Sequence, residues 1–487
     1  MMENLDAAQL WAEEEFAHAR LRDKRRTARL VDMAAEAARH PAGRISALFS
    51  TDAQRQGAYD WLENPACEPG SVARASHQAT ARRCQNQPLV FVPVDKASLT
   101  LADPQVRKDL GPVGTRVTRA RGLQVMSAIA VDEEGTPQGL LGQAYWSRTN
   151  EPHAVPAHRR PVQEKETRYW EQVMGQARQN LSAQAAGSKP WFQVDREGDA
   201  WPVIVGALEL RQDQYLTIRA SWNRRLQDCP GSQEQGQGAA YLWGCLQDHP
   251  VLGDYQLHVS AGPKRTAREA IMQLRAGPVT LDLYNKQTKT HQPARVWAVL
   301  VQESTAVPAG QKPIEWLLLT TYPVHSVQDA GLVVWAYTQR WRIEEFHKAW
   351  KSGCRVEDIQ LEESERIVKW AIILAAVAMR LVRLTYLARH QPQRPARQEL
   401  TEYEVEALLD LDVEGHLEPA TLTVWEAVDA IARLGGYVGP SSGGPPGMLV
   451  LTRGWVRVQA VATAYRNRAG KAAGRGRISA HGSSEER

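Results

Sequence analysis

The sequence has few cysteines, little net charge and no long apolar run, and each absence excludes a class of protein. The five cysteines among 487 residues form no C-x-x-C pair, so neither a disulfide framework nor a zinc ribbon is indicated. The most apolar run, residues 370–379, is too short to span a bilayer. The N-terminus is acidic and amphipathic, unlike a signal peptide. We therefore expect a cytoplasmic protein without a membrane segment.

Charge is distributed unevenly although its sum is small. A net charge of +4 barely favours a nucleic-acid partner. Within residues 20–29, however, a single acid, Asp23, is accompanied by six basic residues: Arg20, Arg22, Lys24, Arg25, Arg26 and Arg29. The surrounding pattern predicts helices over residues 1–72. On composition alone the basic run fits a solvated helix face and a DNA-contacting surface equally well.

After about residue 73 the pattern changes to strands. Apolar runs at 88–95 and 191–195 each finish with an aspartate, Asp95 and Asp195. Two further strands and a helix are predicted between these runs. Three strands, a helix and another strand with a carboxylate at its end form a ribonuclease-H-like order. Strand-like runs across 214–322 predict a β-rich insertion before the last helices.

A helical segment at 337–351 combines four polar residues on one side. At about 100° per residue, Tyr337, Arg340, Glu344 and Lys351 fall within an arc of about 60°. Apolar residues lie opposite, and a break near 340–342 is possible in this pattern. A generic surface helix with ion pairs would look similar, and each aspartate taken alone fits a turn residue.

Three carboxylates that meet in one cleft would repel each other and therefore require a divalent cation to stay ionised. Two ions about 4 Å apart activate a water and stabilise the leaving oxygen in phosphodiester displacement. Arg340 and Lys351 beside them would hold phosphates. The combination of Asp95, Asp195 and Glu344 therefore predicts phosphoryl transfer on a nucleic acid.

Several stretches together resemble one known family. They are DKRRTARLVDMAAEAARH (23–40), QGAYDWLENP (56–65), VDREGD (194–199), PIEWLLLTTYPV (313–324), YTQRWRIEEFHKAWKSG (337–353) and AIARLGGY (430–437). The chain resembles the DDE transposases of bacterial insertion sequences, in the branch with a Tyr-Arg-Glu-Lys signature. The signature Y-x2-R-x3-E-x6-K is met by Tyr337, Arg340, Glu344 and Lys351, and together with VDREGD it is a specific match.

The resemblance implies an α/β protein with a ribonuclease-H-like catalytic core that carries a β-rich insertion. A helical DNA-binding domain precedes this core, and a mainly helical region follows it. The implied boundaries are 1–72 for DNA binding, 73–390 for catalysis with the insertion at about 212–322, and 391–465 for dimerisation. The basic, Gly/Ser-rich composition of 466–487 separately predicts a disordered tail. Asp95, Asp195 and Glu344 would bind two Mg²⁺ or Mn²⁺ ions.

The family's activity implies cut-and-paste transposition by nicking, hairpin formation, hairpin opening and strand transfer. Its partners would be double-stranded DNA, as transposon ends and target, and a second copy of the chain in a synaptic complex on the nucleoid. The residues expected to contact DNA are Tyr337, Arg340, Lys351, Trp316, Trp341, Arg25, Arg26 and Arg29. Trp316 matches a tryptophan that stacks on a flipped base in the family, although a lone strand tryptophan otherwise indicates a core residue.

Two departures and three alternatives stay open. Lys96-Ala97 follows Asp95 where the family has hydroxylated residues, and Lys96 would either hold a phosphate or weaken metal binding. The Pro/Gly-rich stretch 439–447 and the basic tail differ from the family's helical C-terminus. The alternatives are an inactive DNA-binding regulator, a nuclease that hydrolyses without joining, and a metalloprotease site at His347, which lacks an H-E-x-x-H motif.

Overall fold

The computed structural model describes residues 7–481 with gaps. The positions outside the description are 50, 104, 107, 115–118, 150–154, 156–159, 229–240, 263–264, 287, 413–414 and 440–444, together with both chain ends and the side chains of 466, 467 and 469–481. In the described part of the chain, no helix is long and apolar enough to cross a membrane.

Four helices form the N-terminal part. They are α1 (Ala7–Phe16), α2 (Lys24–Arg39), α3 (Asp52–Glu63) and α4 (Pro69–Arg83). Asp23 caps α2 by accepting a hydrogen bond from the backbone of Arg25, and Thr51 caps α3 in the same way. The helices confirm the predicted helical N-terminus, but α4 crosses the predicted boundary at residue 72 and contacts the central sheet.

The central sheet has the strand order of a ribonuclease-H-like core. Its strands are β1 (Leu89–Thr100), β3 (Arg121–Val131), β4 (Pro137–Trp146), β5 (Lys189–Val194) and β6 (Tyr215–Arg219), with the short β2 (Gly111–Pro112) beside β3. The spatial order is β4-β3-β1-β5-β6; β3 and β4 are antiparallel neighbours, and β1, β5 and β6 run parallel. Helices α5 (Arg168–Gln184) and α6 (Trp201–Glu209) connect the parallel strands. The predicted fold class is confirmed.

The β-rich insertion extends the same sheet. It contains β7 (Leu226–Asp228), α7 (Leu242–Asp248), β8 (Gly253–Val259), β9 (Arg268–Asn285), β10 (Thr290–Glu303) and β11 (Glu315–Thr320). The long hairpin of β9 and β10 pairs through β11 with β6. The predicted insertion began too early, because β6 pairs in parallel with β5 and completes the core.

Helices close the chain. They are α8 (Val327–Thr338), α9 (Trp341–Lys348), α10 (Ser364–His390), α11 (Glu402–Leu411), α12 (Val424–Leu434) and α13 (Met448–His481). The side chain of Ser326 caps α8 by accepting from the Asp329 backbone. The break between α8 and α9 lies at residues 339–340. The tail after residue 465 was expected to be disordered, and the structure instead continues α13 to His481.

Long helices hold the N-terminal helices against the rest of the chain. The buried Lys369 on α10 donates to the Leu62 carbonyl at 2.9 Å, and Trp370 donates to the Gly43 carbonyl at 2.9 Å. Trp455 on α13 donates to the Ala38 carbonyl at 3.0 Å. Such buried donors are costly to leave unpaired, so these contacts fix the N-terminal helices in place.

One cysteine departs from the expectation that the chain has no disulfide framework, since Cys245 is disulfide-bonded.

Candidate active site

Asp95 and Asp195 lie at the same edge of the central sheet. The parallel pairing of β1 and β5 ends with Val94 opposite Val194, so the next residue of each strand is an aspartate. Asp195 follows β5 and caps a short 3₁₀ turn by accepting from the Glu197 backbone at 2.9 Å. Asp95 does not end its strand as expected, because β1 continues to Thr100 by pairing with β3.

Glu344 reaches this edge from helix α9, and an arginine joins the two elements. Nη1 of Arg340 lies 3.3 Å from Oε1 of Glu344 and 3.5 Å from Oδ2 of Asp95. Carboxylate oxygens of Asp95 and Glu344 and a ring nitrogen of His347 all lie within 4.8 Å of one another. Asp195 lies outside this set of three.

The electrostatics show that negative charge is poorly compensated at Asp95. Burial, together with the charges of Asp195 and Glu344, raises the pKa of Asp95 to about 7. The Lys96 backbone N–H and Arg340 oppose this rise only in part. Burial also raises the pKa of Asp195, against the Glu197 N–H and Arg340. A carboxyl group whose ionisation is disfavoured by its neighbours indicates a place where a bound cation would be favourable.

These donors fit a divalent metal ion. Asp95 and Glu344 offer carboxylate oxygens, the ligands preferred by Mg²⁺ and Mn²⁺, and their spacing is compatible with one coordination sphere. Asp195 acts on the charge of Asp95 from the neighbouring strand. The geometry therefore brings Asp95 and Glu344 together, and Asp195 is near enough for its charge to act on Asp95.

Aromatic and basic side chains border the carboxylates. The buried ring of Tyr337 lies 5.7 Å from the half-buried ring of Trp316, edge to face. The guanidinium of Arg219 lies 5.9 Å from the same tryptophan ring, and its Nη2 donates to the Glu315 carbonyl at 3.2 Å. Sequence reasoning missed Arg219 because a single arginine at the end of a strand carries no motif.

Two further predicted residues, Lys351 and Trp341, and the lysine beside Asp95 have the following surroundings. Lys351 falls in a π-helical turn (Ala349–Gly353), where its Nζ lies 3.9 Å from Glu357. Trp341 is 60% exposed at the start of α9. Lys96, which follows Asp95, pairs through its Nζ with Glu197 at 2.8 Å and lies 3.9 Å from Glu166.

The basic run on α2 divides into exposed and structural residues. The Arg25 side chain is 92% exposed beside Asp23. Arg26 is half-buried, and its Nη1 donates to the Leu21 carbonyl at 3.1 Å. The guanidinium of Arg29 lies against Gly57 of α3, where a Cβ would come within 3.2 Å of it. Only part of the predicted DNA-contacting set is therefore fully accessible.

Comparisons with known proteins find two family models. The model described as "Transposase DNA-binding" matches residues 8–67, and the model described as "Transposase DDE domain" matches residues 147–380. The second match contains Asp195 and Glu344 but begins after Asp95. Among solved structures, a piggyBac transposase synaptic complex with hairpin DNA has 9% sequence identity and a TM-score of 0.34, over 82% of this chain and 83% of that chain.

Proposed function

We propose that this chain moves its element by a cut-and-paste route with a hairpin intermediate. Its two matched domains are those of a DDE-type transposase, a divalent-metal-dependent enzyme of DNA cleavage and strand transfer. One strand would be nicked at the element end, and the freed 3′-hydroxyl would attack the opposite strand. Opening of the hairpin would regenerate the 3′-hydroxyl for attack on target DNA. Each step is the same in-line exchange at phosphorus, so a single site suffices.

The observation that carries this proposal is that carboxylate oxygens of Asp95 and Glu344 lie within 4.8 Å of each other, with the charge of Asp195 near enough to act on Asp95. These three carboxylates would hold two Mg²⁺ or Mn²⁺ ions. When bound, such ions supply the positive charge that activates the attacking oxygen and stabilises the leaving oxygen. The inactive-regulator alternative gains no support, because a protein that only binds DNA has no need for a cluster of mutually repelling carboxylates.

Residues around the carboxylates would position the strand. Arg340, which bridges Asp95 and Glu344, is placed to contact the scissile phosphate once cations compensate the carboxylates. Trp316 and Tyr337 form an aromatic wall beside it, where Trp316 would stack on a base flipped out of the hairpin. Stacking of this kind offsets a few kcal/mol of unstacking. Lys351 and Trp341 would contact the DNA farther from the reacting phosphate.

The DNA-binding part would recognise the element ends. Arg25, Arg26 and Arg29 of α2 are proposed to face the duplex, with Arg25 the most accessible. The chain is proposed to act as a homodimer on paired ends, and the helices after residue 390 would supply the contact between copies. The division of the chain into DNA-binding, catalytic and dimerisation regions is part of this proposal. So is the assignment to the Tyr-Arg-Glu-Lys branch, with its similarity to the transposase of the kanamycin-resistance composite transposon.

A cleavage assay tests the function directly. The full chain is incubated with Mn²⁺ and a linear duplex that spans one element end and its flanking DNA, and denaturing gels separate nicked, hairpin and opened products. We expect hairpins from the wild type and none from Glu344→Gln. Glu345→Gln is the matched control. Glu345 pairs with Arg342 at 2.9 Å and does not belong to the carboxylate cluster. Nicks without hairpins would support the hydrolysis-only nuclease, and no cleavage at all would support the inactive regulator.

A further inference from the structure

His347 lies one helical turn after Glu344 and shares its face of α9. One of its ring nitrogens lies within 4.8 Å of carboxylate oxygens of both Asp95 and Glu344. Among the described residues, this is the group of three or more His, Cys, Asp and Glu side chains whose donor atoms are close enough to share an ion. The imidazole is therefore part of the same cluster as the two carboxylates.

The side chain of His347 has an unmet hydrogen-bonding group in this position. The residue is 7% exposed, and its Nε2 has no hydrogen-bond partner among the described residues. A buried polar atom without a partner costs free energy, so such atoms are commonly satisfied by a ligand or ion that belongs to the site. The neighbouring ring of Phe346, 5.4 Å away, supplies packing but no acceptor.

A comparison with His77 separates this situation from an ordinary buried histidine. His77 is 4% exposed, and its Nε2 is also unpartnered. It lies on α4 and does not belong to a cluster of possible metal ligands among the described residues. Burial and an unpartnered nitrogen therefore occur without a site, and what distinguishes His347 is the pair of carboxylates within reach.

We propose that His347 is a nitrogen ligand to the ion held between Asp95 and Glu344. This inference rests on the proposed function, because it assumes that the carboxylates bind a metal. Its chemical consequence concerns which metal is preferred. Mg²⁺ favours oxygen donors only, whereas Mn²⁺ and later first-row ions accept imidazole readily. A site with one nitrogen and two carboxylate donors would therefore favour Mn²⁺ over Mg²⁺ more strongly than an all-carboxylate site.

The test uses the full-length protein with Mn²⁺ alone as the probe. Pulsed electron paramagnetic resonance of bound Mn²⁺ detects the ¹⁴N coupling of a directly bound imidazole, and ¹⁵N-histidine labelling identifies its source. We expect the coupling in the wild type and in His77→Gln, and its loss in His347→Gln. We also expect Mn²⁺ affinity to fall about tenfold in His347→Gln while Mg²⁺ affinity falls less, because only the nitrogen contribution is removed.

The outcomes distinguish the two proposals. Wild-type protein that binds Mn²⁺ without an imidazole coupling would overturn the role of His347 and leave the carboxylate site intact. A coupling that persists in His347→Gln would overturn it equally. Wild-type protein that binds no Mn²⁺ would overturn the proposed function itself. Far-ultraviolet circular dichroism and binding to end DNA check that His347→Gln is folded, and Glu345→Gln controls for a general change in α9.

Discussion

Two buried carboxyl groups in the extended sheet, Asp95 and Glu303, each lie beside an arginine, but their pKa values move in opposite directions. Glu303 accepts hydrogen bonds from Nε and Nη2 of Arg268 at 2.7 and 2.8 Å and from the Ile314 backbone at 2.9 Å. These bonds lower the pKa of Glu303 to about 2. Burial and two neighbouring acids raise the pKa of Asp95 to about 7, although Arg340 lies 3.5 Å away.

The difference lies in whether the protein itself satisfies the charge. Arg268 meets Glu303 with two parallel donors, the arrangement that stabilises a carboxylate most strongly. Arg340 is shared between Asp95 and Glu344 at longer distances, so neither carboxylate has a cation of its own. Glu303 is therefore a completed structural ion pair in the insertion, whereas the protein itself compensates the charge of Asp95 only in part.

The largest expected effect is the loss of DNA cleavage when a carboxylate of the proposed metal site is removed, compared with removal of Glu303. Asp95→Ala, Asp195→Ala and Glu344→Ala should each lower the cleavage rate by at least about 10³-fold, because each removes one of the proposed metal ligands. Glu303→Ala should leave cleavage nearly unchanged and lower the melting temperature by a few degrees, because Arg268 loses its partner. Single-turnover cleavage and thermal unfolding measure the two effects.

Binding to end DNA is the control for these variants. The three catalytic variants should bind the duplex as the wild type does, since the proposed end-binding surface lies on the N-terminal helices. Loss of binding with an unchanged cleavage rate per bound complex would contradict the assignment of the carboxylates. Loss of cleavage in Glu303→Ala at a temperature where it is fully folded would remove the distinction between the two groups.

The pH dependence of stability should differ in sign between the two groups. The folded-state pKa of Asp95, about 7, exceeds its ordinary value of 3.8, so its contribution is present at low pH and is lost as the pH rises through 7. Glu303, with a pKa of about 2 against 4.5, contributes above its ordinary value and loses that contribution as the pH falls toward 2. Without metal, the wild type should lose on the order of 1–3 kcal/mol relative to Asp95→Asn between about pH 5 and pH 8.

Denaturant unfolding in a chelator measures this difference. Only the difference between wild type and Asp95→Asn is informative, because other groups titrate in both proteins. A difference that stays constant across the range would show that the Asp95 charge is already compensated. Added Mn²⁺ should restore the stability of the wild type at high pH and leave Asp95→Asn little changed, because binding requires the ionised carboxylate.

The sequence predicted the order of core strands and the positions of the acidic residues because those depend on local patterns. The apolar run before Asp195 correctly predicted a strand that ends there, whereas β1 continues past Asp95 to Thr100. What failed depended on contacts distant along the chain. β6 could not be separated from the insertion without knowing that it pairs with β5. His347 was set aside for lack of a motif, and its proximity to Asp95 arises only in the fold.

The distinction between satisfied and available charge extends to the arginines of α2. Charge reversal at Arg25 should weaken binding to end DNA and reduce its salt dependence by about one phosphate contact, because the side chain is exposed. Charge reversal at Arg26 should also lower the melting temperature, because its guanidinium bonds the Leu21 carbonyl. Affinity measured over a salt series, beside thermal unfolding, separates the two roles. An unchanged salt slope in Arg25→Glu would show that this helix face is merely solvated.

The smallest expected effect concerns Lys96, an ion-paired residue beside the unsatisfied Asp95. Its Nζ pairs with Glu197 at 2.8 Å, and Glu197 belongs to the 3₁₀ turn that Asp195 caps. The pair is partly exposed, so its free energy is small, but it joins β1 to the turn that orients Asp195. Lys96→Ala and Glu197→Gln should each slow cleavage by about three- to tenfold and leave stability and DNA affinity nearly unchanged. The double variant should be no slower than the worse single variant, because both changes remove the same contact. Additive losses would mean that Lys96 acts on the phosphate independently of Glu197, and Asp95 would then have a cation of its own after all.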